Sequence, residues 1–336
     1  MLELNILLII VIAIALIFDY VNGMHDAANA IATSISTRAI NPRNAVIMAG
    51  ILNFVGAFVH EGVAKTMGRG LVAPEMVTDQ RLILAALIGA LVWNLITWYF
   101  GLPSSSSHAL VGGLVGAGLY NAGTKGVVWE GVIQKVVLPG LVSPLLGLFG
   151  GFLIMVGFMW LFRRANPSIL NKRFRKLQWF SCGYLALTHG MNDAQKAMGI
   201  ITLALVTGGV QDTFDVPTWV KLSCATMIAL GTSAGGWRII KTLGGKMVKL
   251  QPVQGFAAEI TSAGILSSTA LLGMPVSTTH VISSSIMGVG ASKRFSAVRW
   301  GVAQNILVAW VLTLPAAALV GAFSLMTINF VSGFFG

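Results

Sequence analysis

The chain has 336 residues, of which 55% are hydrophobic and only 10% are charged. Soluble domains carry about a quarter charged residues, so this composition excludes a soluble enzyme or binding domain and predicts an integral membrane protein. The formal net charge of +11 does not indicate nucleic-acid binding, because 15 of the 22 Lys and Arg residues lie in four clusters without any Asp or Glu. These clusters span Arg38–Arg43, Arg163–Lys176, Arg238–Lys249 and Lys293–Arg299.

The basic clusters alternate with loops that are balanced or acidic, such as 61–81 and 209–216. This alternation is the positive-inside pattern, so we expect the clusters in the cytoplasm and both termini outside the cell membrane. In chain order the predicted crossings are 4–37, 44–60, 82–100, 102–120, 131–162, 179–208, 217–237, 255–273, 275–291 and 300–326. Five crossings in each half give the halves opposite orientations. The sequence therefore predicts an all-α fold of two inverted-topology repeats, 1–162 and 179–336, joined by a basic cytoplasmic linker at 163–178.

Two sequence segments occur once in each half. The segment GMHDAANA at 23–30 has its counterpart in GMNDAQKA at 190–197, and GLPSSSSH at 101–108 has its counterpart in GMPVSTTH at 273–280. In transporters built from internal repeats, the substrate binds where the repeats meet, near the middle of the membrane. The duplication therefore predicts a transporter.

Glycine and proline within these segments predict broken helices that meet at the midplane. A straight helix over 4–37 would be about 50 Å long, so we expect it to unwind at Asn22–Gly23. Gly101 with Pro103, and Gly273 with Pro275, would end one helix and begin another. The hydroxyls at 104–107 and 277–279 would then occupy the first helical turn, where free N–H groups bind anions.

Asp26 and Asp193 lie at matching positions of the two halves, and a charge in the bilayer centre costs roughly 2.5–3.5 kcal/mol. One such residue could serve helix pairing, but a matched pair favours proton or cation binding. His108 and His280 follow the hydroxyl segments at equal spacing. Packing is the ordinary role of a buried histidine, but the repeated position favours a role in proton coupling or charge balance.

Three further positions differ between the halves. Lys196 stands where the first half has Asn29, and it could either neutralise Asp193 at i,i+3 spacing or hold an anionic substrate. The sequence leaves both interpretations open. His25 is matched by Asn192, which gives the two aspartates different neighbours. Glu259 has no acidic counterpart in the first half, and it is either an interfacial residue or a gating or proton-carrying one.

Together, the G-x-[HN]-D-A-x-x-A and G-[LM]-P-x-S-[ST]-[ST]-H segments resemble those of the inorganic phosphate transporter (PiT) family over essentially the whole chain. The resemblance implies an inverted-repeat symporter that moves phosphate inward, with Asp26 and Asp193 as its essential aspartates and both hydroxyl segments facing phosphate. The segments His25–Asn29 and Asn192–Lys196 are similar to those of the bacterial Pit-type members. Those members are generally coupled to protons and accept neutral metal–phosphate complexes, whereas sodium-coupled members carry Asn-Asp in the first motif and a glutamate in place of Asn53.

We therefore predict alternating-access import of inorganic phosphate, alone or with a divalent cation, driven by co-transported protons. No cofactor, resident metal or nucleic acid is expected, and the partners are membrane lipids and, where the chain self-associates, a second copy in a homodimer. Sodium coupling, a sulfate permease of the same fold and, from another class, a membrane-embedded phospholipid-processing enzyme are the alternatives. The predicted substrate-binding residues are Asn29, Ser104, Ser105, Ser106, Ser107, Gln195, Lys196, Ser277, Thr278 and Thr279. The predicted ion-coupling residues are His25, Asp26, His108, Asn192, Asp193, Glu259 and His280.

Overall fold

A computed structural model of the protein describes residues 2–69 and 79–335. Part of the predicted loop 61–81, residues 70–78, lies outside the described residues. Within the described ranges the regular structure is helical, and no β-strand occurs. The α-helices are α1 (Leu2–Ser36), α2 (Pro42–Gly56), α3 (Gly62–Arg69), α4 (Gln80–Phe100), α5 (Ser106–Ala122), α6 (Trp129–Val132), α7 (Leu138–Leu161), α8 (Pro167–Thr207), α9 (Thr218–Ala234), α10 (Trp237–Lys241), α11 (Pro252–Leu271), α12 (Thr278–Lys293) and α13 (Trp300–Phe335).

Among the described residues, four helical stretches have the length and apolar composition that a membrane crossing requires: Ile6–Ser36, Gln80–Phe100, Trp129–Leu161 and Trp300–Gly333. The outward faces of the long helices are apolar as well. On α13, for example, Val311 is 74% exposed and Leu319 is 73% exposed. Large exposed apolar faces of this kind belong in lipid rather than in water. The prediction of an all-α integral membrane protein is thereby confirmed.

The chain breaks at both glycine–proline segments, as the sequence predicts. α4 ends at Phe100, directly before Gly101, and α11 ends at Leu271, shortly before Gly273. These two glycines have φ angles of 65° and 66°. An L-residue with a side chain rarely adopts this left-handed conformation, which explains the glycines. The next helices begin after N-caps at Ser105 and Ser277, and each cap hydroxyl accepts a hydrogen bond at 3.2 Å from the N–H three residues later.

The predicted unwinding of the first helix at Asn22–Gly23 is wrong. α1 continues from Leu2 to Ser36, and α8 likewise passes through Gly190 without interruption. A Cβ atom on Gly23 would collide with the carbonyl of Ile228 on α9, and one on Gly190 would collide with the backbone of Asn53 on α2. Both glycines therefore allow helices to cross closely, which is a common use of small residues in membranes.

The two halves are interlocked through their breaks. Thr66 on α3 donates a hydrogen bond of 2.8 Å to the carbonyl of Gly273, and Thr242, just after α10, donates one of 2.9 Å to the carbonyl of Gly101. Each short helical segment thus holds the break of the other half. The basic segment 163–178 is largely helical, because α8 begins at Pro167, capped by the Asn166 side chain, and is continuous with the apolar stretch that follows.

Candidate functional site

Asp26 lies where the two broken segments converge on α1. Its carboxylate accepts hydrogen bonds from Ser106 at the start of α5 (3.0 Å) and from Thr279 at the start of α12 (3.3 Å). The Nδ1 atom of His25 lies 2.8 Å from the Asp26 Oδ1 atom. Asp26 is only 2% exposed. One carboxylate therefore contacts the hydroxyl-bearing helix starts of both halves.

Asn29, one helical turn beyond Asp26, extends this contact along α1. Its amide nitrogen donates to the hydroxyl of Thr278 at 3.2 Å and to that of Thr279 at 2.9 Å. The N–H groups in the first turn of a helix have no partner within the helix, so the starts of α5 and α12 present donors together with their hydroxyls. Asn29, Ser106, Thr278 and Thr279 thus form a cluster of neutral donors beside Asp26.

Ser104 and Ser105 precede α5 and have different partners. The Ser104 hydroxyl donates to the Thr97 hydroxyl at 2.8 Å and lies 3.4 Å from the Nε2 atom of His25. Ser105 is the N-cap of α5. Ser107 donates to the carbonyl of Val276 at 3.3 Å, which ties the two breaks together. Of the four serines, only Ser106 bonds to Asp26.

Asp193 approaches Asp26 from α8 and is fully buried. Its carboxylate lies 2.8 Å from the ammonium of Lys196 and 3.3 Å from the Nε2 atom of His189. One potential ligand atom from each of Asp26, His189 and Asp193 lies within 4.8 Å of the others. The two aspartates at matching positions of the repeat therefore share one buried centre, and their oxygens with His189 could hold a proton or a small cation.

His108 and His280 meet each other on the far side of the helix starts. Their ring centroids are 4.8 Å apart in an edge-to-face arrangement, and the His280 ring also stacks on Trp310 of α13 at 3.9 Å. Each backbone N–H is held by the N-cap serine of its helix. The histidines are 5% and 3% exposed, so they join α5, α12 and α13 in a buried aromatic contact.

The remaining predicted residues lie away from this centre. The Gln195 carboxamide binds the start of α3, where it accepts from the N–H groups of Val63 (2.9 Å) and Ala64 (3.1 Å) and donates to the carbonyl of His60. Asn192 donates to the carbonyls of Thr188 and Leu266 at 2.9 and 3.1 Å. These side chains position α3 and α11 against α8.

Glu259 forms a second buried polar cluster between α1, α8 and α11. Its carboxylate accepts hydrogen bonds from Thr33 (2.7 Å), Ser34 (2.6 Å), Gln178 (3.1 Å) and Ser181. It is fully buried. Helix packing therefore encloses Glu259, and its role as an interfacial, gating or proton-carrying residue stays a prediction.

Sequence reasoning missed Asp19, which is also fully buried. Asp19, Asn22, Asp26, Asn29 and Thr33 follow the three- and four-residue spacing of one helix face, so α1 carries a buried polar stripe. On this stripe Asp19 precedes Asn22 by one helical turn and Asp26 by two. The spacing of two helical turns between Asp19 and Asp26 was the signal in the sequence that could have identified this residue.

The model of the phosphate transporter family matches residues 22–321, nearly the whole chain and both halves of the site. The chain belongs to the phosphate transporter family. Membership makes it a transporter and excludes the alternative of a phospholipid-processing enzyme. The predicted resemblance to this family is confirmed.

Relatives of the transporter match it over most of its length. It is 48% identical over 328 residues to a probable low-affinity inorganic phosphate transporter of Bacillus subtilis, covering 97% of this chain and 98% of the relative. A protein of Rhizobium meliloti with the same description is 51% identical, with 94% and 95% covered. A solved structure titled the sodium-dependent phosphate transporter superposes with a TM-score of 0.89 at 27% identity, covering 97% of this chain and 99% of that one.

Proposed function

We propose that this transporter imports inorganic phosphate together with protons by alternating access. The observation that carries the proposal is the shared position of Asp26 and Asp193 beside the helix starts of both halves. Hydroxyls and free N–H groups at two facing helix starts are suited to an oxyanion, and inorganic phosphate is the substrate in the descriptions of relatives that are about half identical.

The donors for phosphate are those that now bind Asp26 and each other. The phosphate oxygens would accept hydrogen bonds from the side chains of Ser106, Thr278, Thr279 and Asn29. The N–H groups in the first turns of α5 and α12 would donate to them as well. Lys196 would supply the positive charge for the phosphate, since it is 1% exposed and its ammonium lies 2.8 Å from Asp193. Hydrogen bonds in which one partner is ionised are roughly twice as strong as neutral ones, which favours the anion over water.

Charge balance supports coupling to a cation. The centre holds two carboxylates and one lysine, so a phosphate anion would add to an excess of negative charge. Burial of uncompensated charge is expensive. Phosphate must therefore enter with protons on Asp26 or Asp193, or as a neutral complex with a divalent cation.

Protons are favoured because an imidazole accompanies each aspartate: His25 lies beside Asp26, and His189 lies beside Asp193. An imidazole has two ring nitrogens, so it can accept a proton at one and donate one from the other. Asn53, where sodium-coupled members carry glutamate, donates from its amide nitrogen to Thr232 at 2.8 Å, and its amide oxygen lies 3.1 Å from the Nδ1 atom of His189. It supplies no additional carboxylate for a metal cation.

The enclosure of the site supports alternating access. Its donor and acid residues are at most 3% exposed, so a movement must open it to each side in turn. The matched hydrogen bonds from Thr66 to Gly273 and from Thr242 to Gly101 favour two inverted repeats that rock against each other. In this arrangement both termini lie outside and the basic segments lie in the cytoplasm.

Sodium coupling is the second candidate. The solved structure that superposes with a TM-score of 0.89 is titled a sodium-dependent phosphate transporter, and the oxygens of Asp26 and Asp193 could serve a small cation. Uptake of radiolabelled phosphate into proteoliposomes separates the candidates. We expect accumulation with an inward proton gradient and no sodium, and little competition from sulfate. Accumulation only with sodium would overturn the proposal of proton coupling. Equal transport of sulfate would overturn the proposal that inorganic phosphate is the preferred substrate.

A further inference from the structure

A basic cavity of about 540 Å³ lies away from the central site, where α11 begins and α12 ends. Lys249 and Gln251 line it on the α11 side, and Lys293, Arg294 and Arg299 line it on the other side. The central site is enclosed, but these four basic side chains are exposed. The cavity is therefore accessible without any movement of the helices.

The cavity has strong positive charge and no acidic lining residue. Among the described residues, none of the ion pairs involves Lys249, Lys293, Arg294 or Arg299. Four like charges around one cavity repel each other, and an anion in the cavity would relieve this repulsion. Arginine and lysine bind phosphate groups especially well, because arginine offers a planar fork of donors and lysine a compact charge.

Backbone contacts hold Arg299 at the cavity wall. Its N–H donates to the carbonyl of Met247 at 3.0 Å, and its guanidinium donates to the carbonyl of Lys246 at 3.4 Å. Most of its guanidinium donors are left for a ligand. These contacts place the Arg299 backbone and guanidinium at the cavity wall, where the free donors can reach an anion.

Aromatic residues beside the cavity indicate its depth in the membrane. Phe295 stacks on Trp300 with ring centroids 4.3 Å apart, and the Trp300 indole donates to the Phe295 carbonyl at 3.0 Å. Phe295 is 69% exposed, and Trp300 begins the apolar helix α13. Exposed aromatic residues at the end of a membrane helix lie at the level of the lipid headgroups.

We propose that this cavity binds a phosphate-bearing anion at the membrane surface. An anionic phospholipid offers such a group at the right depth, and inorganic phosphate offers the same chemistry from solution. Basic pockets between membrane helices are known to bind lipid headgroups. The site is separate from the proposed transport site and uses cationic side chains instead of hydroxyls and helix starts.

Native mass spectrometry of the purified transporter tests the lipid source. Phosphatidylglycerol is titrated against the wild type and against the double variant Arg294→Gln/Arg299→Gln, with phosphatidylcholine as the zwitterionic comparison. We expect one tightly held phosphatidylglycerol on the wild type and an apparent affinity about 30-fold lower in the variant, from the contribution of two basic side chains near an anionic surface. Lys172→Gln/Arg175→Gln removes the same charge from α8 and should bind as the wild type does.

Equilibrium binding of radiolabelled inorganic phosphate in lipid-free detergent tests the other source. If the cavity takes free phosphate, the wild type binds one phosphate more per chain than Arg294→Gln/Arg299→Gln does. The double variant Lys249→Gln/Lys293→Gln removes the other two cavity charges. It should show the same loss, of phosphatidylglycerol binding or of phosphate binding, as Arg294→Gln/Arg299→Gln does. Equal lipid retention and equal phosphate binding by the wild type and both cavity variants would overturn the proposal.

Discussion

The carboxylates of Asp26 and Asp193 come from different halves of the sequence, yet they share one buried centre with ligand atoms within 4.8 Å of each other. Two such groups cannot both be charged in an apolar interior without partners. Lys196 and the neighbouring imidazoles supply those partners. Because two carboxylates face a single ammonium group in this centre, we expect a change in its charge to alter transport.

Replacing either aspartate by asparagine should abolish phosphate uptake. The amide keeps the size of the side chain, but it cannot carry a proton, and it changes the charge of the centre. We expect uptake by Asp26→Asn and Asp193→Asn to fall to the level of empty proteoliposomes while membrane insertion is unchanged. Asp212→Asn, in an exposed loop, is the matched control. Uptake at the wild-type rate by both centre variants would remove the aspartates from the mechanism.

The double variant Asp193→Asn/Lys196→Gln separates the two roles that the sequence left open for Lys196. If Lys196 only neutralises Asp193, removing both charges together should leave phosphate binding at least as strong as in Asp193→Asn. We expect weaker binding than in Asp193→Asn, because the phosphate would then lack its cation. The measurement is equilibrium binding of radiolabelled phosphate in detergent, which does not depend on proton transfer by Asp193. Binding by the double variant that equals or exceeds that of Asp193→Asn would make the pair structural.

Removing a hydroxyl from a helix start should weaken phosphate binding. Ser106→Ala and Thr279→Val each remove one donor of a charge-assisted hydrogen bond, which contributes about 1.5–3 kcal/mol. We expect KM for phosphate to rise about 10-fold or more in each variant. Ser268→Ala is the control, since its hydroxyl is exposed and bonds within its own helix. An unchanged KM in both variants would mean that phosphate does not contact these helix starts.

The duplicated segments predicted much of this arrangement, because symmetry in the sequence indicates symmetry in space. Asp26, Asn29, Ser106 and Thr279 meet where such a repeat would bring them together. The sequence could not show that the Gln195 carboxamide is hydrogen-bonded to the start of α3, because that contact joins helices that are distant in the chain. The role of Gly23 in α1 was equally ambiguous, since glycine occurs both where a helix unwinds and where two helices pack closely.

Asp19 was missed for a related reason: its counterpart in the second half is Ala186, so comparison of the repeats gives no signal. Asp19 is fully buried on the same face of α1 as Asp26, so we predict that it carries a proton for the centre. It would then exchange protons with the centre along the polar stripe of α1. A residue with this role should matter for coupling more than for phosphate binding.

Asp19→Asn tests this role, because asparagine keeps the shape of a neutral aspartic acid but has no titratable acid proton. We expect uptake driven by a proton gradient to fall several-fold, while binding of radiolabelled phosphate in detergent stays within about twofold of the wild type. Asn22→Ala is the matched control one turn along the same stripe: it loses polarity but no titratable group, and it should retain proton-driven uptake better than Asp19→Asn. Equal losses in both variants would mean that the stripe acts through packing alone, and full uptake by Asp19→Asn would exclude Asp19 from the proton path.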